Sequence, residues 1–168
     1  MPEVKVNIQE QFNCSLERAF KSPMLCDVLK VHTGFLFMPK ALRVFNDEKW
    51  GEPGETKEIV FAKSIAASAE MVLHDQVLER KENKYWKIKV WNPGGLLLFF
   101  THFVGEWEVK SESSNAVSIV YTYTLCFNSP LLYLPALMFA HFFWKAYMGN
   151  VMRNIKAMAQ GNEAFLYP

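Results

Sequence analysis

A chain of 168 residues that is 51% hydrophobic and 15% aromatic can bury a core without disulfides or metal, which excludes a disordered polypeptide. A formal net charge of +1, with Lys and Arg interspersed among Asp and Glu, leaves no basic block to neutralise phosphates, which excludes nucleic acid as a partner. The three cysteines, Cys14, Cys26 and Cys126, form no CxxC pair, so neither a disulfide framework nor a zinc knuckle is indicated.

The first element alternates. Val4, Val6, Ile8 and Phe12 share one face and Lys5, Asn7, Gln9 and Gln11 the other, with Glu10 as the lapse; this is a half-buried strand. Ser15 then caps a short helix over 16–21, and Ser22-Pro23 reads as a cap and first-turn proline of a second one. Six strand-like runs follow, at 42–47, 56–65, 69–80, 84–91, 96–110 and 116–127. Their separators are 50–54, Ala66-Ala67-Ser68, Glu82-Asn83, Asn92-Pro93-Gly94-Gly95 and 111–115. Such short turns connect antiparallel hairpins; parallel crossovers need a dozen or more residues.

The last third is helical. Ser129-Pro130 is a start signal, Pro135 a later start or a kink, and Gly161 a stop, which gives about 25 to 30 residues, roughly 40 Å at 1.5 Å per residue. One stripe runs through Leu134, Leu137, His141, Trp144, Met148, Val151, Ile155 and Met158, and should face the sheet. The longest apolar run, 131–144, is shorter than the about 20 residues that a membrane span requires. The N-terminus lacks the apolar stretch of a secretory signal. These features predict a soluble, cytoplasmic protein folded as a single domain over 1–168.

Several short stretches resemble the START-like superfamily, also called SRPBCC. They are Val6-Asn7-Ile8 running into Ser15-Leu16-Glu17-Arg18-Ala19-Phe20, and Gly54-Glu55-Thr56-Lys57 entering a strand. Glu70 followed by Asp75 and Tyr85, Trp107 in the sixth strand, and Met148-Gly149-Asn150-Val151-Met152 in the helix complete the set. The likeness is nearest to the polyketide cyclase/dehydrase and lipid-transport branch, although Lys57 stands where many relatives carry Arg. It implies an α+β helix-grip fold: a curved antiparallel sheet of about seven strands, two short helices, and one long C-terminal helix over an apolar cavity. It also implies a lipid-, hormone- or polyketide-like ligand, with cyclisation or dehydration in a minority of relatives.

A sheet curled around one helix encloses volume that suits a small hydrophobic molecule. The expected wall comprises Trp86, Ile88 and Val90; Phe99, Thr101, Phe103 and Trp107; Tyr121 and Tyr123; and Leu137, His141, Trp144 and Met148 of the helix. The same aromatic stripe also suits a filled core. His141 is the one polar member of the helical stripe. It either orients a ligand, serves with Tyr121 or Tyr123 as acid and base, or is hydrogen-bonded within the core.

Other polar groups read more weakly. His102 faces the outer side of the sheet, His74 lies on a strand of unclear parity, and His32 sits in a loop. Glu70 and Asp75 read as solvated strand residues in preference to a carboxylate pair. No histidine spacing suits a metal and no Gly-rich loop suits a phosphate, so no cofactor is expected.

The start of the helix is apolar all round. Met138, Phe139, Phe142 and Phe143 are either covered by the greasy loop 34–39 or form a surface for dimerisation or membrane contact. The reading that follows is a carrier or sensor of a small hydrophobic ligand, a lipid, an isoprenoid or an aromatic polyketide-like molecule, held in an internal cavity. The alternatives are a cyclase/dehydratase-type enzyme and a docking module.

Overall fold

The structure, a computed structural model, describes residues 1–64, 69–94 and 97–161. Alternation in β1 (Glu3–Phe12) behaves as the sequence predicts: Val4, Val6 and Phe12 are buried, while Lys5, Asn7, Gln9 and Gln11 face solvent. The lapse at Glu10 has a cause, because its carboxylate accepts a 2.9 Å charge-assisted hydrogen bond from Lys156 of the C-terminal helix.

The two short helices are present, with a different boundary. Ser15 caps α1 (Leu16–Leu25) by accepting from the Arg18 backbone N–H, and Pro23 lies inside this helix instead of starting the next. A proline in that position cannot donate to the carbonyl four residues earlier. Here that carbonyl, of Ala19, accepts a 3.2 Å bond from the Trp107 indole N–H, so it is not orphaned. The second helix, α2 (Val28–Val31), is capped by Asp27, whose carboxylate accepts from the Leu29 N–H.

The strands β2 (Ala41–Phe45), β3 (Thr56–Phe61), β4 (Met71–Lys81), β5 (Tyr85–Trp91), β6 (Phe100–Ser113) and β7 (Ala116–Phe127) then follow. They form a seven-stranded antiparallel sheet in the order β1-β7-β6-β5-β4-β3-β2. Sequential strands are neighbours throughout β2 to β7, the meander expected from the short separators, and β1 joins at the β7 edge. The expected strand end at Ile65, the separator Ala66-Ala67-Ser68, and Gly95 with Leu96 lie outside the described residues.

Parity on β6 is corrected at its start. A register shift between Phe100 and His102 brings Phe100 inside at 2% exposure, while Thr101 turns to bond the Cys126 carbonyl and Phe99 precedes the strand. A bulge adds one residue, so the even and odd positions exchange faces.

The C-terminal helical stretch has three parts after a 3-10 turn capped by Ser129 (Pro130–Leu132): α3 (Tyr133–Met138), a π-helical segment (Phe139–Trp144), and α4 (Lys145–Gln160). Pro135 sits within α3, where it neither begins nor breaks the helix. The expected stripe holds through Trp144, Met148, Val151 and Ile155, all buried. Above Trp144 it fails. The i→i+5 bonding of a π-helix puts more residues into each turn, so one turn above Trp144 come Phe139 and Ala140, not His141. Buried Ala136 and Ala140 continue the inward line, Leu137 is only half-buried, and Leu134 and His141 are exposed. The Arg18 side chain fixes the far end by donating to the carbonyls of Ala159 (2.9 Å) and Met158 (3.4 Å). Among the described residues no helix is long and apolar enough to cross a membrane.

Candidate functional site

The space between sheet and helix holds a cavity with about 70 Å³ of room for water centres. One water needs about 10–15 Å³ on this measure, so several waters can enter. Alternate residues of the strands build its wall. Lys57, Ile59 and Phe61 come from β3; Met71, Leu73 and Asp75 from β4; Trp86, Ile88 and Val90 from β5; Tyr121 and Tyr123 from β7. The cross-strand register explains why they meet: Lys57 faces Asp75, Ile59 faces Leu73, and Phe61 faces Met71. The helix closes the other side with Trp144, Tyr147, Met148, Val151 and Ile155.

Of the expected wall residues, Trp86, Ile88, Val90, Tyr121, Tyr123, Trp144 and Met148 line the cavity. Phe103 and Trp107 are fully buried but belong to the packing behind it: Phe103 stacks on Trp144 at 4.7 Å, and Trp107 meets the Phe12 and Tyr121 rings edge-on. Phe99 packs against Phe100 and Phe139, away from the lining. Leu137 packs at the edge of the core, and His141 is exposed on the opposite side of the π-helical segment. His141 therefore cannot pair with the cavity tyrosines. The parity of the third and fourth strands, unreadable from sequence, is also resolved.

The polar groups of the cavity are ones the sequence ranked low. Lys57 is 4% and Asp75 8% exposed, so Asp75 is not a solvated strand residue. Glu70 is solvated, as expected, and pairs with Arg43. The Lys57 ammonium sits 4.0 Å above the Trp50 ring, a cation–π contact. Burial pushes the Asp75 carboxyl up to about 6, opposed by the charges of Lys57 and His74. Burial likewise lowers the Lys57 pKa, which Asp75, Cys26 and Asp47 partly restore.

His32, expected in a loop, ends α2 and reaches the cavity, where its Nδ1 and the Tyr147 hydroxyl share a 2.8 Å hydrogen bond. Burial and the nearby Lys57 hold this imidazole down at about 4, so it is neutral at pH 7. The Cys26 thiol is pushed up to about 11 by burial and stays protonated. Tyr121 and Tyr123 share a 2.7 Å hydrogen bond between their hydroxyls, and burial raises the pKa of both. Among the described residues the indole N–H groups of Trp86 and Trp144 have no hydrogen-bond partner.

A weak sequence signal for Lys57 existed: it alternates with Ile59 and Phe61, two apolar residues on a run that enters from a turn. Tyr147 stands one turn beyond Trp144 and one residue from the stripe, so helical geometry allowed it. Nothing local marked His32.

The sequence matches no protein-family model and no curated protein. Solved structures do match. Ara h 8.0201 superposes with a TM-score of 0.71 at 10% identity, over 96% of this chain and 100% of that one. The ZhuI aromatase/cyclase of Streptomyces sp. R1128 gives 0.67 at 11% identity, over 95% and 94%. A norcoclaurine synthase point mutant of Thalictrum flavum, bound to a transition-state analogue, gives 0.68 at 10% identity, over 97% and 98%. Curved sheet, short helices and long C-terminal helix thus define a helix-grip protein. The chain shares the helix-grip fold of these structures, the fold that the resemblance to START-like proteins implied.

Proposed function

We propose that the protein carries or senses a small hydrophobic molecule held in this cavity, and that residues 1–168 act as one ligand-binding domain. The supporting observation is a preformed cavity whose wall is chiefly apolar and carries a few convergent polar groups, the usual composition of a ligand site. Trp86, Tyr121, Tyr123, Trp144 and Met148 are its contact residues in this reading. Three buried free thiols suit the reducing cytoplasm expected from the sequence. Native mass spectrometry of freshly purified protein, followed by organic extraction, tests the proposal. A stoichiometric apolar compound is the expected result. A bare mass, together with no thermal stabilisation by a panel of small aromatic and aliphatic compounds, would overturn it.

The polar groups favour a second reading, an enzyme of the cyclase or dehydratase kind. Such chemistry would fall to Asp75 and the Tyr121–Tyr123 pair in place of the exposed His141. Turnover of a ligand recovered from the protein, lost in Asp75→Asn with binding retained, would support it.

The helix start is only partly covered. Phe37 of the greasy loop packs on Phe143 at 4.8 Å and Phe139 joins the core, whereas Met138 (53% exposed) and Phe142 (67%) face solvent. A homodimer or a peripheral membrane contact through these two belongs to the proposal, and sedimentation with and without phospholipid vesicles separates the two cases.

A further inference from the structure

Lys57 and Asp75 stand opposite one another on β3 and β4, and both border the cavity. Among the described residues neither forms a hydrogen bond or an ion pair with the protein; the contact of Lys57 is the Trp50 ring. A buried ammonium with three donors and no acceptor is costly, and so is a buried carboxylate without donors. The cavity therefore contains one strong donor and one strong acceptor side by side, against a wall that is otherwise largely apolar.

We infer that this pair is a head-group subsite for an apolar carboxylic acid, whose carboxyl group lies between Lys57 and Asp75 with one proton shared between the two carboxyls. The inference rests on the carrier reading and names its ligand class. Charge decides it. The empty site carries one positive and one negative group, so an incoming carboxylate brings an excess negative charge into a low-dielectric space. Two carboxyls beside one ammonium relieve that excess by holding a proton in common, as in carboxylate pairs generally. An amine would meet the Lys57 charge, and an alcohol, although it can accept from Lys57 and donate to Asp75, brings no negative charge to pair with the ammonium.

Asp75 is suited to accept the proton, because burial has already raised its pKa to about 6. The groups facing it from the packed elements do not compete near neutrality. His32 after α2 is held at about 4, Cys26 beyond α1 is raised to about 11, and Tyr121 and Tyr123 on β7 and Tyr147 on α4 are pushed upward. Burial lowers the pKa of Lys57 on β3, and Asp75, Cys26 and Asp47 oppose that shift. His74 is Asp75's neighbour on β4, and it stacks on Trp91 and approaches Glu58.

A matched set of probes tests the inference: phenylacetic acid, 2-phenylethanol and 2-phenylethylamine, titrated calorimetrically at pH 6 and pH 8. Phenylacetate should bind at least about tenfold tighter than the alcohol and more tightly at pH 6 than at pH 8, with up to one proton taken up per ligand. Lys57→Met should abolish the preference and Lys57→Arg should keep it. Asp75→Asn should bind phenylacetate at least as well as the wild type and remove the pH dependence. Equal affinity for acid and alcohol in the wild type would overturn the subsite while leaving the cavity reading intact. So would an acid preference that survives in a folded Lys57→Met protein. Failure of all three probes to bind would count against the cavity reading itself, and the subsite would fall with it.

Discussion

A Cβ atom on Gly105 would lie 3.2 Å from the hydroxyl of Tyr121 and 3.1 Å from Cγ1 of Ile88. The glycine faces Tyr123 and Ile88 across β7 and β5, so the missing side chain leaves the gap into which the Tyr121 ring leans toward Tyr123. Glycine in a strand interior often marks such a close approach.

Gly105→Ala tests how tightly this corner is set. Both contacts are closer than an ordinary methyl tolerates, and the Tyr121 hydroxyl is held by its 2.7 Å bond to Tyr123. Overpacking of this kind costs about 1–3 kcal/mol. Urea denaturation should show a lower midpoint with an unchanged slope. A midpoint equal to wild type would mean that Ile88 and Tyr121 yield freely.

Trp107 and Pro23 make a second coupled pair through the Ala19 carbonyl. Trp107→Phe retains most of the ring but removes the indole donor to this carbonyl. An unsatisfied buried acceptor costs about 1–3 kcal/mol. Pro23→Ala in the same background restores a backbone donor and should recover much of the loss. Strictly additive effects in the double mutant would disprove the coupling.

How much of this was legible beforehand depends on pattern strength. Val4, Val6 and Phe12 alternate cleanly with charged and amide residues, so β1 could be read. The meander followed from its turn residues. In β4 both faces carry apolar side chains (Val72 and Leu78 on one, Leu73 and Val77 on the other), so Asp75 could not be assigned to the inside. The segment Met138–Phe143 is apolar apart from His141 and supplies no polar phase that would reveal the π-helical turn. That turn arises from packing, with Phe139 seated against Phe100 and Trp144, and it is what moves His141 outward. His32 is brought to the cavity by tertiary contacts with Phe61 and Tyr147, which have no local signature.

His141→Ala follows directly from that displacement. An exposed side chain away from the cavity should change stability by no more than about 0.5 kcal/mol and leave phenylacetate affinity unaltered. Trp144→Ala is the contrast: it removes a ring stacked on Phe103 at 4.7 Å and edge-on to Tyr123 at 5.3 Å. Thermal unfolding should show a loss of about 3–5 kcal/mol for this change. A large effect at His141 would place it in a contact that the structure does not contain.

The pH dependence of stability sets two cavity groups against each other. The folded-state pKa of His32 is depressed to about 4, so its contribution is complete above the ordinary histidine range near 6.5 and lost as pH falls from there to 4. The folded-state pKa of Asp75 is raised from 3.8 to about 6, so its contribution is complete below 3.8 and lost as pH rises to 6. Between pH 4 and 6 the two slopes have opposite signs, and together they should leave stability nearly flat in that window. Each is worth at most roughly 3 kcal/mol, since one pKa unit corresponds to about 1.4 kcal/mol. Asp75→Asn removes the opposing slope, so its stability should fall more steeply than wild type on acidification from pH 6.5 to 4. His32→Asn should do the reverse and gain stability toward pH 4. Chemical denaturation at half-unit intervals of pH resolves both slopes, and parallel profiles for the two variants would show that neither group titrates differently in the folded chain.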